Sequence, residues 1–308
     1  MTLDQFIARR LFVSVFLLLG VSVIVFGVIR LAPGDPVMVV AGLDALPETV
    51  EAIRKEWGFD LPVYMQYFRW LGRAVRLDFG QSLMTREKVS EMIVARLPAT
   101  IKLNLVAYAL ALAVSIPMGI YAALRQYSLL DHLGTVVALV GVSMPGFWLG
   151  LILILYFALY LGWFPVFGIG TWKHYVLPSV ALGASQAAGL MRMTRSSVLE
   201  SMNQDYIRTA RAKGLAERVV VFKHMLKNAS LPIVTIMGMR LAYLLSGSFI
   251  IETIFAWPGI GRLAINCLYS RDYFVVQGTV LLTAVVIVFA NLIVDVTYCF
   301  LDPRIRYQ

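Results

Sequence analysis

The sequence predicts an all-α polytopic membrane protein, and its composition leads directly to this class. Hydrophobic residues make up 59% of the 308 residues and charged residues 15%, whereas a soluble domain is about one quarter charged. The mean hydropathy is +0.77. A soluble globule of this length could not cover so much apolar surface in its core. High hydrophobicity excludes a disordered chain, and only two cysteines, Cys267 and Cys299, exclude a disulfide scaffold.

Six apolar runs approach the length of about 20 residues that crosses a bilayer. They are residues 11–29, 103–124, a run starting near 133, 175–191, 229–251 and 274–294. The third run belongs to an uncharged stretch, 133–172, that is too long for one helix, so we expect its helix to end in the Gly/Pro-rich segment 162–170. We therefore predict six transmembrane helices. The first is expected to remain as an anchor, because no signal-peptidase pattern follows it.

Lysine and arginine in the loops predict the orientation. Segment 192–230 carries eight basic and three acidic residues, a net charge of +5, and both terminal tails also hold arginines. An even number of spans places this loop and both termini on one side, the cytoplasm. Segment 32–97, with eight basic and nine acidic residues, then lies outside. The overall charge of +9 is concentrated in the cytoplasmic loop, so we expect contact with membrane lipid and no nucleic-acid partner.

The chain is expected to consist of three parts. Residues 1–31 form a tail and the first span, residues 32–97 a small external (periplasmic) helical cap, and residues 98–308 a five-helix core. In the cap, Leu31–Pro36 predicts a turn that ends the first helix. Segments 47–57 and 61–75 predict two short helices.

The cytoplasmic loop predicts a helical hairpin between the fourth and fifth spans. Residues 203–213 have helical spacing, with Tyr206, Ile207 and Ala210 on one face. Gly214 follows at the position where a helix end favours a residue that tolerates positive φ. A second run, 215–228, leads into the fifth span. From periodicity alone, this hairpin is either an amphipathic element that lies on anionic lipid or a docking element for a cytoplasmic partner.

Patterns typical of catalysis are missing from the sequence. It contains no G-x-x-x-x-G-K-[ST] and no H-E-x-x-H, and its histidines are His132, His174 and His224, which are far apart. We therefore expect no enzyme activity, no bound cofactor and no metal. Asp295, close to the cytoplasmic end of the sixth predicted span, is the one transmembrane acid identified, which disfavours a proton-coupled carrier. A secondary carrier or channel for small polar solutes stays the alternative to the interpretation that follows.

The loop sequence resembles the EAA loop of bacterial ABC importer permeases, in the form found in the dipeptide/oligopeptide/nickel family. Residues 205–215, His224 and Leu231-Pro232 carry this resemblance. Four further motifs occur in the family order: Leu31–Pro36, the Phe-Gly-x-Ser run 79–82, Glu252 with Pro258–Arg262, and the tail 301–306. Arg208-Thr209-Ala210 stands where many ABC permeases have Glu-Ala-Ala. The chain is most similar to the B-type permease subunit of dipeptide or glutathione importers.

This resemblance implies a transport subunit that forms the pathway with a second homologous permease. Two cytoplasmic P-loop ATPases would bind the ATP and Mg, and a periplasmic or lipid-anchored solute-binding protein would deliver short peptides. It assigns contact with an ATPase to the following positions: Tyr206, Arg208, Thr209, Ala210, Lys213, Gly214, Leu215 and His224. The localisation implied is the bacterial inner membrane.

Three polar side chains inside predicted spans are candidates for the transport pathway. Asn104 and Gln186 are as readily explained by hydrogen bonds between helices. Arg240 costs about 2.5–3.5 kcal/mol at the bilayer centre on insertion scales, so it should face the protein interior. It either attracts a peptide carboxylate or pairs with Asp295 or Glu252.

Overall fold

The computed structural model describes residues 3–31, 36–41, 45–242 and 248–301. These residues form helices joined by turns and short irregular segments, with an isolated β-bridge between Gln81 and Lys88. The predicted turn after the first span and the C-terminal arginines fall mostly outside these ranges. The side chains of Arg240 and Asp295 also lie outside the described part of the chain.

Fourteen α-helices are present in the described ranges. They are α1 (Leu3–Leu31), α2 (Pro36–Ala41), α3 (Pro47–Glu56), α4 (Val63–Ala74), α5 (Val89–Leu124), α6 (Leu129–Ser143), α7 (Gly146–Leu153), α8 (Lys173–Met202), α9 (Asp205–Ala212), α10 (Glu217–Val219), α11 (Leu226–Ala242), α12 (Ser248–Ile254), α13 (Ile260–Tyr269) and α14 (Tyr273–Leu301). π-Helical turns continue α7 over Ile154–Tyr160 and join α10 to α11 over Val220–Met225.

Three helices are long and apolar enough to cross a membrane, at Ile7–Gly27, Val89–Leu124 and Tyr273–Val294. Two bent pairs raise the number to five if each pair is one span: Leu129–Ser143 with Gly146–Tyr160, and Glu217–Ser230 with Pro232–Gly238. The predicted fourth span lies on α8, a helix of 30 residues that does not meet the apolar criterion. Gln186 and several serines and glycines lower its hydropathy. Length and composition therefore identify three to five spans among the described residues, and the sixth predicted span depends on α8.

The third predicted span is broken, contrary to the single helix that its apolar run predicts. Its helix begins at Leu129, where the Ser128 hydroxyl accepts the N–H of Asp131 at 3.2 Å. It ends at Ser143, far before the Gly/Pro-rich segment, and α7 departs at 107°. Pro145 precedes α7 and disfavours helical backbone at Met144, which is extended at φ −85° and ψ 123°. The signal was present in the sequence as this proline.

The chain forms two compact units, one of residues 1–100 and 258–308 and one of residues 101–257. In the first, α14 packs against α1 and α13. The cap helices α3 and α4 occupy 47–56 and 63–74, close to the predicted 47–57 and 61–75. The α4 helix is held to α1 because the Tyr67 hydroxyl lies 2.9 Å from Ser22 Oγ and the rings of Tyr67 and Phe26 meet edge to face at 5.3 Å.

In the second unit, α8 is the helix around which the others pack, and it does so through small residues. A Cβ on Gly183 would lie 2.8 Å from the Ala107 carbonyl oxygen, and one on Gly119 would lie 2.7 Å from that of Met191. Gly146 similarly faces the Ala181 carbonyl oxygen at 3.1 Å. Such contacts let helix backbones approach closely, the usual basis of helix association in membranes.

Candidate functional site

The loop that follows α8 begins later than predicted. The helix continues to Met202, so Arg192 and Arg195, counted in the predicted loop 192–230, are part of α8. The short helix α9 covers Asp205–Ala212, inside the predicted 203–213. The second run of the hairpin does not end at Asn228 but continues through Pro232 as α11 to Ala242.

The α9 helix is fixed by an apolar face. Ile207 is fully buried and Ala210 is 5% exposed, as the helical spacing predicts. Both belong to a cluster that includes Val198 of α8 and Met225 of the second run. The burial of these side chains makes α9 one packed body with α8 and the start of α11.

A hydroxyl chain adds a polar connection between the same elements. The Ser201 hydroxyl donates to the Met225 carbonyl oxygen at 3.2 Å and lies 2.7 Å from the Tyr206 hydroxyl. Because Ser201 has a single proton to donate, Tyr206 is the donor in the second bond. Ser201 is 6% exposed, and it was not identified from the sequence.

The turn after α9 depends on backbone geometry. Gly214 has φ +72°, and no heavy atom lies within 4 Å of the position a Cβ would take. Glycine is therefore favoured here by backbone conformation and not by lack of space. The Arg211 guanidinium closes the turn by binding both carboxylate oxygens of Glu217, at 2.6 and 3.2 Å.

The residues predicted to contact an ATPase fall into two groups. Six are exposed and lie together on α9 and its turn: Tyr206, Arg208, Thr209, Lys213, Gly214 and Leu215. Ala210 is buried beneath them, and His224 is half-buried on the π-helical turn. Phe222 lies on that same turn with 72% of its surface exposed. The sequence motifs did not include it among the contact residues. An exposed aromatic residue in a Val-Val-Val-Phe run is hard to recognise from sequence, because the run also predicts a core segment.

An ion pair that the sequence analysis did not identify joins α6 to α8. Arg195 Nε lies 2.7 Å from Asp131 Oδ1, and Nη2 lies 2.9 Å from Oδ2. Asp131 is 2% exposed and also accepts the N–H of Tyr127 at 3.0 Å. The Ser-x-x-Asp pattern at 128–131 is a helix-start signal that could have drawn attention to Asp131.

Two of the three predicted pathway residues, Asn104 and Gln186, lie at different heights along their helices. Asn104 on α5 is 1% exposed, and Gln186 on α8 is half-buried with its Oε1 atom lacking a hydrogen-bond partner among the described residues. The two helices run in the same direction, since Ala107 faces Gly183 and Gly119 faces Met191. Asn104 lies three residues before Ala107 and Gln186 three residues after Gly183. About six residues, or ~9 Å of helix rise, therefore separate the two side chains along the helices. Nothing can be stated of the Arg240 side chain, which is outside the described part.

The Phe-Gly-x-Ser motif, in the unit of residues 1–100 and 258–308, connects two segments that are distant in sequence. Phe79 is buried, Gly80 has φ +82°, and the Ser82 hydroxyl donates to Asp272 Oδ2. The other oxygen of Asp272 accepts the N–H of Leu83 at 3.1 Å. These bonds join the segment before α5 to the start of α14.

A buried thiol lies close to this connection. Burial, together with the Asp272 carboxylate, raises the pKa of the Cys267 thiol to about 11. Among the described residues, no three histidine, cysteine, aspartate or glutamate side chains lie together as a metal site would require.

The described part of the chain is helical, with helices apolar enough to cross a membrane, and comparison with known proteins establishes its family. Residues 115–307 match the family described as binding-protein-dependent transport system inner membrane component, and residues 3–104 match the N-terminal part of such membrane components. The chain belongs to this family of inner-membrane, multi-pass transport subunits.

Its relatives match over the whole length. The oligopeptide transport system permease protein AppB of Bacillus subtilis is 42% identical, covering 98% of this chain and 99% of the relative. The glutathione transport system permease protein GsiC of Escherichia coli K12 is 40% identical, covering 99% of both. A crystal structure of an amino acid ABC transporter with histidines has the same fold, with a TM-score of 0.53 at 17% identity, over 67% of this chain and 92% of the other.

Proposed function

We propose that this chain is the transmembrane permease subunit of an ATP-driven, binding-protein-dependent importer of short peptides, with glutathione among the candidates. The observation that carries the proposal is its identity of 40–42% with an oligopeptide and a glutathione permease over nearly the full length. Such identity without gaps in coverage favours a shared transport role. The permease itself does no chemistry; it opens alternately to the two sides of the membrane.

The partners follow from this role. A second homologous permease completes the pathway, two cytoplasmic P-loop ATPases bind ATP and Mg, and a periplasmic or lipid-anchored solute-binding protein delivers the peptide. In this arrangement the chain has six spans with both termini in the cytoplasm. The α8 helix supplies the additional span, since 30 residues cover ~45 Å of helix.

The α9 helix and the turn at Gly214 are the proposed contact with an ATPase. Their exposed side chains, Arg208 and Lys213 among them, stand on a buried base of Ile207 and Ala210. Because that base belongs to one apolar cluster with Val198 of α8 and Ala229 of α11, a tilt of α9 on nucleotide binding is transmitted to α8 and α11. This is what a coupling element requires: a rigid protrusion packed directly on the helices that it moves.

Arg240, Asn104 and Gln186 are the proposed polar side chains of the pathway. Residues 101–124 of α5 lie in the same unit as α8 and α11. The Tyr108 hydroxyl of α5 donates to the Met237 carbonyl oxygen of α11 at 2.6 Å, and α8 packs against both helices. In this proposal the Arg240 cation attracts the carboxylate of a passing peptide.

Native mass spectrometry tests this function. The tagged chain is purified from its own host in mild detergent before the measurement. We expect a complex with a second permease and two ATPase subunits. After reconstitution with the binding protein, this complex should take up peptide in an ATP-dependent manner. A reproducible lone protomer or homodimer that transports without ATP would instead establish a secondary carrier or channel.

A further inference from the structure

We infer that the external cap contains its own binding site for a short peptide with a free carboxyl terminus and an aromatic or apolar side chain. This inference rests on the proposed function and extends it, because it assigns direct peptide contact to the cap. The site is a cavity of about 720 Å³, and none of the pathway residues named above lines it. Cavities of roughly 300–1,000 Å³ are the usual size of small-molecule sites.

The charge of the cavity favours an anion. Five basic and two acidic residues line it, a net charge of +3. Arg69, Arg73 and Arg86 form no ion pair with a carboxylate anywhere in the described ranges. Arg69 and Arg73 are four residues apart on α4 and therefore share a face. Guanidinium groups in such a pair bind a carboxylate through parallel charged hydrogen bonds.

The apolar wall is already assembled. The rings of Phe59 and Phe274 are parallel, with centroids 6.4 Å apart and planes 7° apart, and Trp57 meets Phe274 edge to face at 6.3 Å. The Arg86 guanidinium carbon lies 5.7 Å from the centre of the Trp57 ring. A guest side chain that is aromatic or apolar would therefore pack on rings that need no rearrangement.

A buried amide faces the same cavity. Gln277 lines it and is 3% exposed, yet its side-chain amide forms no hydrogen bond with another described residue. The amide atoms are open to the cavity and not sealed from it, so a guest can reach them. With one acceptor and two donors, this group matches the backbone N–H and C=O of a peptide. Cations, rings and an amide in one cavity fit a peptide better than an inorganic anion, which would use only the cations.

The test measures binding to the intact permease–ATPase complex in phosphatidylcholine nanodiscs, without the binding protein. Radiolabelled Ala-Phe is the probe, with Ala-Phe amide as the competitor that lacks the carboxylate. Saturable binding of Ala-Phe is expected, with competition by the amide at least tenfold weaker. Arg73→Gln should weaken binding by about tenfold or more, the range for a charged hydrogen bond. Arg76→Gln, an exposed arginine just beyond the cavity, is the matched control and should stay within twofold.

Gln277→Met is a second variant, one that leaves the charge of the cavity unchanged. It should weaken Ala-Phe binding by threefold to tenfold. Absence of Ala-Phe binding, or equal binding by wild type and Arg73→Gln, overturns the site. The complex is also reconstituted in nanodiscs that contain phosphatidylglycerol. Loss of Ala-Phe binding there assigns the cavity to a lipid phosphate and overturns the peptide site. ATP-dependent uptake by the same complex, reconstituted with its binding protein in proteoliposomes, separates the two proposals: uptake without cap binding rejects only the cap site.

Discussion

Arg195 of α8 binds both carboxylate oxygens of Asp131 at the start of α6, at 2.7 and 2.9 Å. The Asp131 side chain is 3% exposed and the Arg195 side chain 26%. The pair is located ten residues before α9 along the chain and joins the end of α8 that carries the proposed coupling element to the bent pair α6–α7. It thus fixes the helix through which motion of α9 would pass.

Loss of either partner should destabilise the protein strongly. Asp131→Asn leaves the Arg195 cation without its counterion in a mostly buried position, at a cost of roughly 3 kcal/mol. The thermal unfolding midpoint in detergent measures this effect. Arg192→Met, an exposed arginine on the same helix, is the control and should leave the midpoint within about 1 °C, since exposed substitutions cost little. An unchanged midpoint in Asp131→Asn would show that the ion pair is not structural.

Gly214→Val should leave membrane insertion intact and abolish coupled transport. The valine must adopt φ near +72°, at a cost of about 1–2 kcal/mol, or the turn must change and displace α9. Gly214→Asn, which tolerates this conformation, should retain more activity. Peptide uptake and ATP hydrolysis are measured together in proteoliposomes. Normal coupled uptake by the valine variant would exclude the hairpin as the coupling element.

Arg240→Gln should reduce peptide uptake in a complex that assembles normally, because the variant lacks the cation that attracts the carboxylate. Uptake of several peptides is compared with uptake by wild type, after native mass spectrometry has verified assembly. Unchanged uptake across all peptides would leave Arg240 with a structural role only.

The Cys267 thiol should react slowly with alkylating reagents in the folded protein. A pKa of about 11, against an ordinary value near 8.5, lowers the thiolate fraction at pH 8 by roughly two orders of magnitude. The rate of iodoacetamide labelling is measured in a Cys299→Ser variant, so that one thiol reports. The rate should rise with pH up to about 11, and unfolding in detergent at pH 8 should restore ordinary reactivity. Rapid labelling of the folded protein at pH 8 would contradict the burial of this thiol.

Local patterns in the sequence predicted much of the architecture. The periodicity of 203–213 predicted that Tyr206, Ile207 and Ala210 share one face of a helix; Ile207 and Ala210 are buried, whereas Tyr206 is 39% exposed. Gly214 predicted a left-handed turn, and its φ of +72° confirms this. Three spans are apolar enough to be recognised by length and composition alone. The break at Met144 and Pro145 was missed because apolarity continues across it, although proline limits the residue before it.

The sequence by itself determined the membrane class, the α9 hairpin and the family, since each depends on composition, spacing or motifs within short segments. Only the tertiary structure decided that Asp131 meets Arg195, 64 residues away, and that Ser82 meets Asp272, 190 residues away. The same holds for the cap cavity, where α4 and the first turn of α14 contribute Arg73 and Gln277. Periodicity gives the face on which a side chain lies, but not the distant helix that packs against that face.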